Sequence, residues 1–255
     1  MLDRSYLEDY YKRFSLCWGY LRSVRQKDYD TIREICEKRG YELERMQRIL
    51  LEAEFIRIPS ETVDLERLNG YGEDLGVVSK SGKFILEGRY IFPVKDMMGN
   101  VIALIGWYPD EKKYITTPSR LFSKECLFYG LEQLGKTGRN KPYIITEGIF
   151  DSLSARAVGL NCVAMMGISS SRYKEVVYSL FSRIVAVPDN DEQGRDVLIN
   201  DKWKIPRMGR YFRWSSRGYY LKDLDDFCKS FEAGDVRDTL CQVFKEPERI
   251  VTLKL

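Results

Sequence analysis

The sequence predicts an α/β protein with a mainly parallel sheet, preceded by a mixed α+β subdomain and followed by a short helical tail. Strand-like and helix-like segments alternate between residues 143 and 220, which is typical of parallel strands covered by helices. Ahead of them, a helical pattern gives way to short apolar runs punctuated by glycine. We therefore expect three parts, residues 1–140, 141–220 and 221–255.

The first part is predicted to begin with helices and to continue with strands. Residues 5–56 have a helical pattern that pauses at Gly40. The apolar runs after them are short, and those at 89–96 and 100–108 flank a turn-forming Met-Gly-Asn. The polar, glycine-rich stretch 135–142 is most like a boundary, so the second part is expected to start close to it.

In the second part, strands and helices are predicted to alternate. The predicted strands are 143–147, 162–167, 183–189 and 211–214, and the predicted helices between them are 151–159, 171–181 and 191–201. Residues 222–251 then have the pattern of a helical tail that is broken at Gly234 and Pro247.

Composition argues against several classes of protein. With 255 residues, 44% of them hydrophobic and 31% charged, the chain suits one or two domains with a sizeable core. No apolar stretch approaches the roughly 20 residues that span a bilayer, and the first segment lacks the pattern of a signal peptide. Six Cys without a CxxC pair, and no His, argue against zinc sites and disulfide frameworks. We expect a cytoplasmic protein with free thiols and no membrane partner.

Acidic residues follow two of the predicted strands. Glu147 ends the first strand, Asp151 lies in the first turn of the next helix, and Asp189 and Asp191 follow the strand at 183–189. Because parallel strands present their carboxyl ends at one edge, these acids are expected in one crevice. Carboxylates without His or Cys suit Mg²⁺ or Mn²⁺, and such a site favours phosphate chemistry.

Basic residues form two local clusters, although the net charge of +3 is too small to indicate nucleic-acid binding. The segment 202–222 carries seven Lys and Arg and no acid, interleaved with aromatic residues. Such a mixture can hold phosphates and stack bases, but the aromatics could equally pack inside while the cations reach solvent. A sparser cluster flanks the strand-like residues 114–119.

Beyond these patterns, the chain resembles the catalytic core of bacterial DnaG-type primases over most of residues 70–230. The segments that carry the resemblance are 88–106, 112–131, 145–160, 165–171, 186–196 and 222–226. The second half resembles a TOPRIM domain, which primases share with type IA and II topoisomerases, OLD-type nucleases and recombination-mediator proteins. The first half is what distinguishes primases within that group.

The resemblance implies an enzyme, a DNA primase that makes short RNA primers on single-stranded DNA from ribonucleoside triphosphates. It implies that Glu147, Asp189 and Asp191 are catalytic and hold Mg²⁺ or Mn²⁺. Three further acids, Asp151, Asp223 and Asp225, are implied to support the metal. Template or nucleotide phosphates are implied to bind in a groove between the two subdomains, at Arg89, Lys113 and Lys124.

The sequence also departs from the family pattern. It contains neither the Cys/His zinc-binding domain nor the helicase-binding domain of a full bacterial primase, which suggests a phage or mobile-element version. A replicative helicase or a separate zinc-binding subunit would then be a partner, and the host cytoplasm its location. Trp107 replaces the basic residue after the glycine pair, and Thr116 replaces the usual Asn, so template contacts are expected to differ.

Two other functions stay open. A TOPRIM nuclease would use water at the same metal centre, and a non-catalytic module would only bind single-stranded DNA or a replisome protein. Each motif also has a structural interpretation, because an acid before a helix is a common N-cap. Asp223 and Asp225 would then only cap a helix, and the three basic residues of the groove would be solvated surface charges.

Overall fold

The computed structural model describes residues 4–68, 72–109, 113–117, 126–138, 140–166, 171–214, 221–246 and 248–252. The chain divides into two compact units, residues 1–124 and 125–255. Among the described residues, no helix combines the length and apolar character that crossing a membrane requires.

The first unit begins with three helices, as the pattern of residues 5–56 predicts. They are α1 (Arg4–Ser23), α2 (Asp28–Arg39) and α3 (Leu43–Glu52). Helix α2 ends at Gly40, whose φ of 68° lies in the left-handed region and lets its N–H reach back to the last turn. Helix α1 packs on the sheet of this unit, since Tyr10 Oη donates to the carbonyl of Ile102 at 3.0 Å.

The sheet of the first unit is antiparallel, with strands in chain order. They are β1 (Ile56–Arg57), β2 (Tyr90–Lys95), β3 (Val101–Tyr108) and β4 (Lys113–Thr116). A tight turn joins β2 to β3, where Asp96 Oδ1 accepts from the backbone N–H groups of Met98 and Asn100 at 2.9 Å each. The predicted pair of long strands around this turn is therefore confirmed.

The second unit contains a five-stranded sheet in which every neighbouring pair is parallel. The strand order is β6-β5-β7-β8-β9. The strands are β5 (Pro142–Thr146), β6 (Cys162–Ala164), β7 (Arg183–Ala186), β8 (Arg210–Arg213) and β9 (Ile250–Thr252). The helices are α4 (Gln133–Thr137), α5 (Ile149–Ala157), α6 (Arg172–Tyr178), α7 (Glu192–Asn200), α8 (Leu224–Ser230) and α9 (Ala233–Val243).

Helices cover both faces of this sheet. On β5, Tyr143 and Ile145 join a core with side chains of α6 and α7, and Ile144 joins a second core with side chains of α5, α8 and α9. Burial on both faces explains why these strands are almost continuous apolar runs in the sequence. Phe128 belongs to the first of these cores, so the residues before α4 pack with the second unit. The division into 1–140, 141–220 and 221–255 stays a prediction.

The tail contains a strand as well as helices. Strand β9 pairs in parallel with β8, which the helical pattern of residues 222–251 does not predict. The predicted break at Gly234 is wrong, because Gly234 lies inside α9 and the helices separate at Phe231 and Glu232. The predicted break at Pro247 lies outside the described residues.

Candidate metal centre

The predicted acids lie where the parallel strands end. Glu147 directly follows β5, Asp189 follows β7, and Asp223 precedes α8 on the connection from β8. Strands β5, β7 and β8 are neighbours in the sheet. The strand order therefore brings acids from separate parts of the chain to one edge.

Glu147 is half-buried and strongly influenced by its neighbours. Burial raises the pKa of its carboxyl to about 7, with further contributions from the charges of Asp189 and Asp191 and an opposing hydrogen bond from the Asp189 N–H. Its Oε1 atom is buried and accepts no hydrogen bond from the described residues. A buried acceptor of this kind is expected where a ligand completes the site.

Asp189 is fixed by contacts on both sides of its backbone. Trp214 Nε1 donates to the carbonyl of Pro188 at 2.8 Å, and the backbone of Gly194 lies against Asp189. Burial, and then the charges of Asp223 and Asp191, raise the pKa of Asp189 to about 6, which Lys222 partly opposes.

Asp191 and Asp151 stand at the starts of two helices. Asp191 is the N-cap of α7, and its Oδ1 accepts from the Gly194 N–H at 2.7 Å. Asp151 is buried in the first turn of α5, where its Oδ1 accepts from the Asp225 N–H at 2.9 Å. Burial, followed by the charges of Asp223, Asp189 and Asp225, raises the pKa of Asp151 well above its usual range.

The start of α8 adds a compact acidic group. Asp223, Asp225 and Asp226 each present a carboxylate oxygen within 4.8 Å of the others. Asp223 is also the N-cap of α8, since its Oδ1 accepts from the Asp226 N–H at 2.8 Å. The capping role predicted as an alternative is therefore real, and it does not exclude metal binding by the second oxygen. Sequence reasoning missed Asp226, although it is the last acid of the same Asp-Leu-Asp-Asp run.

Asp225 differs from its neighbours because its carboxylate is already compensated. Ser154 Oγ donates to Asp225 Oδ1 at 2.5 Å, and Lys229 Nζ lies 3.1 Å from Oδ2. The side chain is almost completely buried. These contacts join α8 to α5 and favour a supporting role for Asp225.

The predicted phosphate-binding residues lie in the first unit. Arg89 precedes β2, its guanidinium carbon lies 5.8 Å from the ring centre of Tyr108, and its buried Nη1 atom has no hydrogen-bond partner among the described residues. Only the backbone of Lys113 is described, paired with Tyr108 at the start of β4. Lys124 lies outside the described residues. Their binding roles stay predictions.

The basic and aromatic segment 202–222 is mainly structural as far as residue 214. Trp203, Tyr211 and Phe212 are buried in the two cores of the second unit. Lys202 forms an ion pair with Asp196, and Lys204 lies 3.3 Å from Glu175. The predicted inward packing of the aromatic residues is therefore confirmed for this stretch, and residues 215–220 lie outside the described residues.

The donor set fits a hard divalent cation. Every candidate ligand is a carboxylate oxygen, and the chain has no His with which to build a typical catalytic zinc site. Burial is the main cause of the raised pKa values at Glu147, Asp151, Asp189 and Asp223, and neighbouring acids raise each of them further. Among the described residues, the acids whose carboxylate oxygens all lie within 4.8 Å of one another are Asp223, Asp225 and Asp226, and metal binding by Glu147, Asp189 and Asp191 stays a prediction.

The chain is similar to known proteins in sequence. Residues 144–228 match a family model described as Toprim-like. The DNA primase of Thermotoga maritima is 33% identical over 140 residues, which is 52% of this chain and 24% of that primase. The matched region thus spans about a quarter of the length of this relative.

Solved structures give the same fold over almost the whole chain. A DnaG primase catalytic domain bound to single-stranded DNA superposes with a TM-score of 0.74 at 21% identity, covering 94% of this chain and 80% of the other. The catalytic core of Escherichia coli primase gives a TM-score of 0.70 at 22% identity, covering 91% and 79%. The predicted fold class is confirmed, and the fold is that of DnaG catalytic cores.

Proposed function

We propose that this chain is the catalytic core of a DnaG-type primase, which synthesises short RNA primers on single-stranded DNA. The observation that carries the proposal is the group of acids at the carboxyl edge of the parallel sheet, within the region that matches the Toprim-like family. The DnaG fold of the whole chain and its similarity to a DNA primase support the same activity.

The proposed reaction is attack of a primer 3′-hydroxyl on the α-phosphate of a ribonucleoside triphosphate. The new P–O bond replaces the bond between the α- and β-phosphates, pyrophosphate leaves, and the hydroxyl proton passes to solvent. Bound Mg²⁺ or Mn²⁺ would lower the pKa of the hydroxyl and neutralise charge on the phosphate. Glu147, Asp189 and Asp191 would hold the metal through carboxylate oxygens. Asp151 and Asp223 would add negative charge around it, and Asp225 would hold α8 in place.

Nucleic acid and nucleotides would bind through cations. Arg89 is the best described candidate, because Nη1 is buried without a hydrogen-bond partner in the described part of the chain. Lys113 and Lys124 are proposed to act with it on template or nucleotide phosphates. Single-stranded DNA as the template is supported by the DnaG structure that contains it. We also propose that a helicase or a zinc-binding subunit is a partner of this chain and that the protein is located in the cytoplasm.

The test is incorporation of labelled ribonucleotides on single-stranded DNA of mixed sequence, with Mg²⁺ or Mn²⁺. The parent protein is expected to make short metal-dependent products, and the Asp189→Ala, Asp191→Ala double variant to make none above background. Asp196→Ala is the matched control, because Asp196 lies in α7 and pairs with Lys202 at the surface. It should retain parental activity.

Other outcomes would identify the alternatives. If the parent protein shortens the DNA in a metal-dependent reaction without nucleotides, and the double variant does not, the activity is that of a nuclease and not of a primase. Binding of single-stranded DNA that weakens with salt and does not depend on metal would indicate a binding module, provided that neither primers nor shortened DNA are formed. Full synthesis by the double variant would contradict the assignment of the metal centre.

A further inference from the structure

One side chain links two acid-bearing segments that are far apart in the sequence. The Asn190 N–H donates to the carbonyl of Lys222 at 2.7 Å, and its Nδ2 donates to the carbonyl of Leu221 at 2.8 Å. Asn190 lies between Asp189 and Asp191, and the two acceptors come just before Asp223. A single residue thus connects the loop after β7 to the start of α8.

Two other hydrogen bonds of α8 hold it to a different element. Asp225 receives a hydrogen bond from Ser154, and its own N–H donates to Asp151, so both contacts fix α8 relative to α5. They leave the distance between Asp223 and the loop after β7 to be set by other groups. The two hydrogen bonds of Asn190 act directly on that distance.

The link works against electrostatic repulsion. Asp189 and Asp223 are both acids, and the two hydrogen bonds of Asn190 join residues that lie close to them in the chain. Without a cation between them, repulsion favours separation of the two segments. Two hydrogen bonds from one residue oppose that separation in the metal-free protein.

The amide side chain suits this task in a way that other residues do not. Any residue except proline could donate its backbone N–H to Lys222. Only a short side chain with a donor can also reach the carbonyl of Leu221, and Asp would place an acceptor there instead. Ala or Gly at this position would keep the first bond and lose the second.

We infer that Asn190 is a positioning residue that holds Asp223 beside Asp189 and Asp191 and thereby prepares the acids for a divalent cation. This inference rests on the proposed metal centre. The Asn190 amide is engaged through Nδ2, and the role inferred for it is to position the acids. It contributes to metal affinity by orienting the ligands without contacting the metal, as outer-shell residues of metal sites do.

The test is Mn²⁺ binding to the protein without DNA or nucleotides, measured by electron paramagnetic resonance of free Mn²⁺. Asn190→Ala is expected to weaken binding about 10- to 100-fold, and Asn190→Gly to do the same. Asn161→Ala is the matched control, because Asn161 Nδ2 donates to the carbonyl of Pro142 at 3.2 Å, at the amino ends of β6 and β5. It removes the same kind of bond from the opposite edge of the sheet and should bind Mn²⁺ like the parent.

A second measurement separates positioning from loss of structure. In primer synthesis, Asn190→Ala should raise the metal concentration for half-maximal rate and recover most of the parental rate at saturating metal. A lower rate with an unchanged metal requirement would overturn the inference.

The binding experiment also distinguishes this inference from the proposed function. Unchanged affinity in Asn190→Ala, with binding lost in Asp189→Ala, would overturn the inference and leave the metal centre intact. Equal weakening in Asn161→Ala would overturn it as well, since the effect would then be general loosening. A parent protein that binds no Mn²⁺ would contradict the metal centre itself.

Discussion

Gly194 lies in the first turn of α7, directly against the backbone of Asp189. A Cβ atom at Gly194 would stand 1.8 Å from the Asp189 carbonyl oxygen, far inside any real contact. The N–H of Gly194 also donates to Asp191 Oδ1. The glycine therefore allows two acids of the metal centre to approach the same turn of helix.

Gly194→Ala is expected to destabilise the protein by about 1–3 kcal/mol, because α7 or Asp189 must move to make room. The affinity of this variant for Mn²⁺ should fall together with its stability. Gly234→Ala is the control, since Gly234 lies in α9 with open space at its Cβ, and alanine there should be neutral or stabilising by up to about 1 kcal/mol. Urea unfolding with and without Mn²⁺ measures both effects, and equal stability of the two variants would contradict the steric argument.

At the level of the elements, the short helix α8 depends on its surroundings for stability. It has seven residues, too few to be stable in isolation, and Leu224, Phe227 and Cys228 are buried in the core that it shares with α5 and α9. Asp225 adds a polar contact at its first turn, and Lys229 lies 3.1 Å from Asp225 and 3.4 Å from Asp226. Lys229 is thus a cation that compensates a buried acid of α8.

Removing that cation should cost stability. Lys229→Met removes the Lys229 ion pair from the buried Asp225 carboxylate, and we expect a loss of about 2 kcal/mol. Lys202→Met, which removes an exposed ion pair with Asp196, should cost less than about 1 kcal/mol. Thermal or urea unfolding of the two variants is the measurement. A smaller loss in Lys229→Met than in Lys202→Met would show that Asp225 does not need this partner.

The elements also show what the sequence can and cannot predict. Strands β5 and β7 were predictable because burial on both faces leaves apolar runs, and the acids that follow them could be assigned to one edge. Strand β9 has only three residues, too few to show a period. The role of Asn190 depends on Leu221 and Lys222, which are more than thirty positions away, and no local pattern marks it. Burial of Trp203, likewise, is a matter of tertiary packing.

Across the whole molecule, the metal centre makes stability depend on pH. Burial is the main cause of the raised pKa values of Glu147 and Asp189, to about 7 and about 6. The ordinary pKa of either residue is near 4 in an unfolded chain. Between these values the folded protein binds more protons than the unfolded chain, so its free energy of unfolding decreases as pH rises. Above pH 7 the two carboxyls are ionised in the folded protein, and the full loss of stability is present unless a bound cation offsets it.

We therefore expect the metal-free protein to lose stability as pH rises from about 5 to about 7. The contribution of Glu147 alone is on the order of 3 kcal/mol, and Glu147→Gln should remove its share of the slope. Urea unfolding at several pH values, in the presence of a chelator, is the measurement. Adding Mn²⁺ should stabilise the parent more at pH 7.5 than at pH 5, and stability that increases over this pH range would contradict the argument.

Strand β9 affects how the second unit folds while the chain is being synthesised on the ribosome. Val251 completes a core with Phe212 and Trp214, and Arg249 donates to the carbonyls of Pro206 and Gly209 beside β8. All of these partners are synthesised some forty residues before β9. Until residues 250–252 have left the exit tunnel, the growing chain exposes the edge of β8 and part of its apolar face. The nascent protein therefore passes through a period in which an open strand edge is available to chaperones or to other unfinished chains.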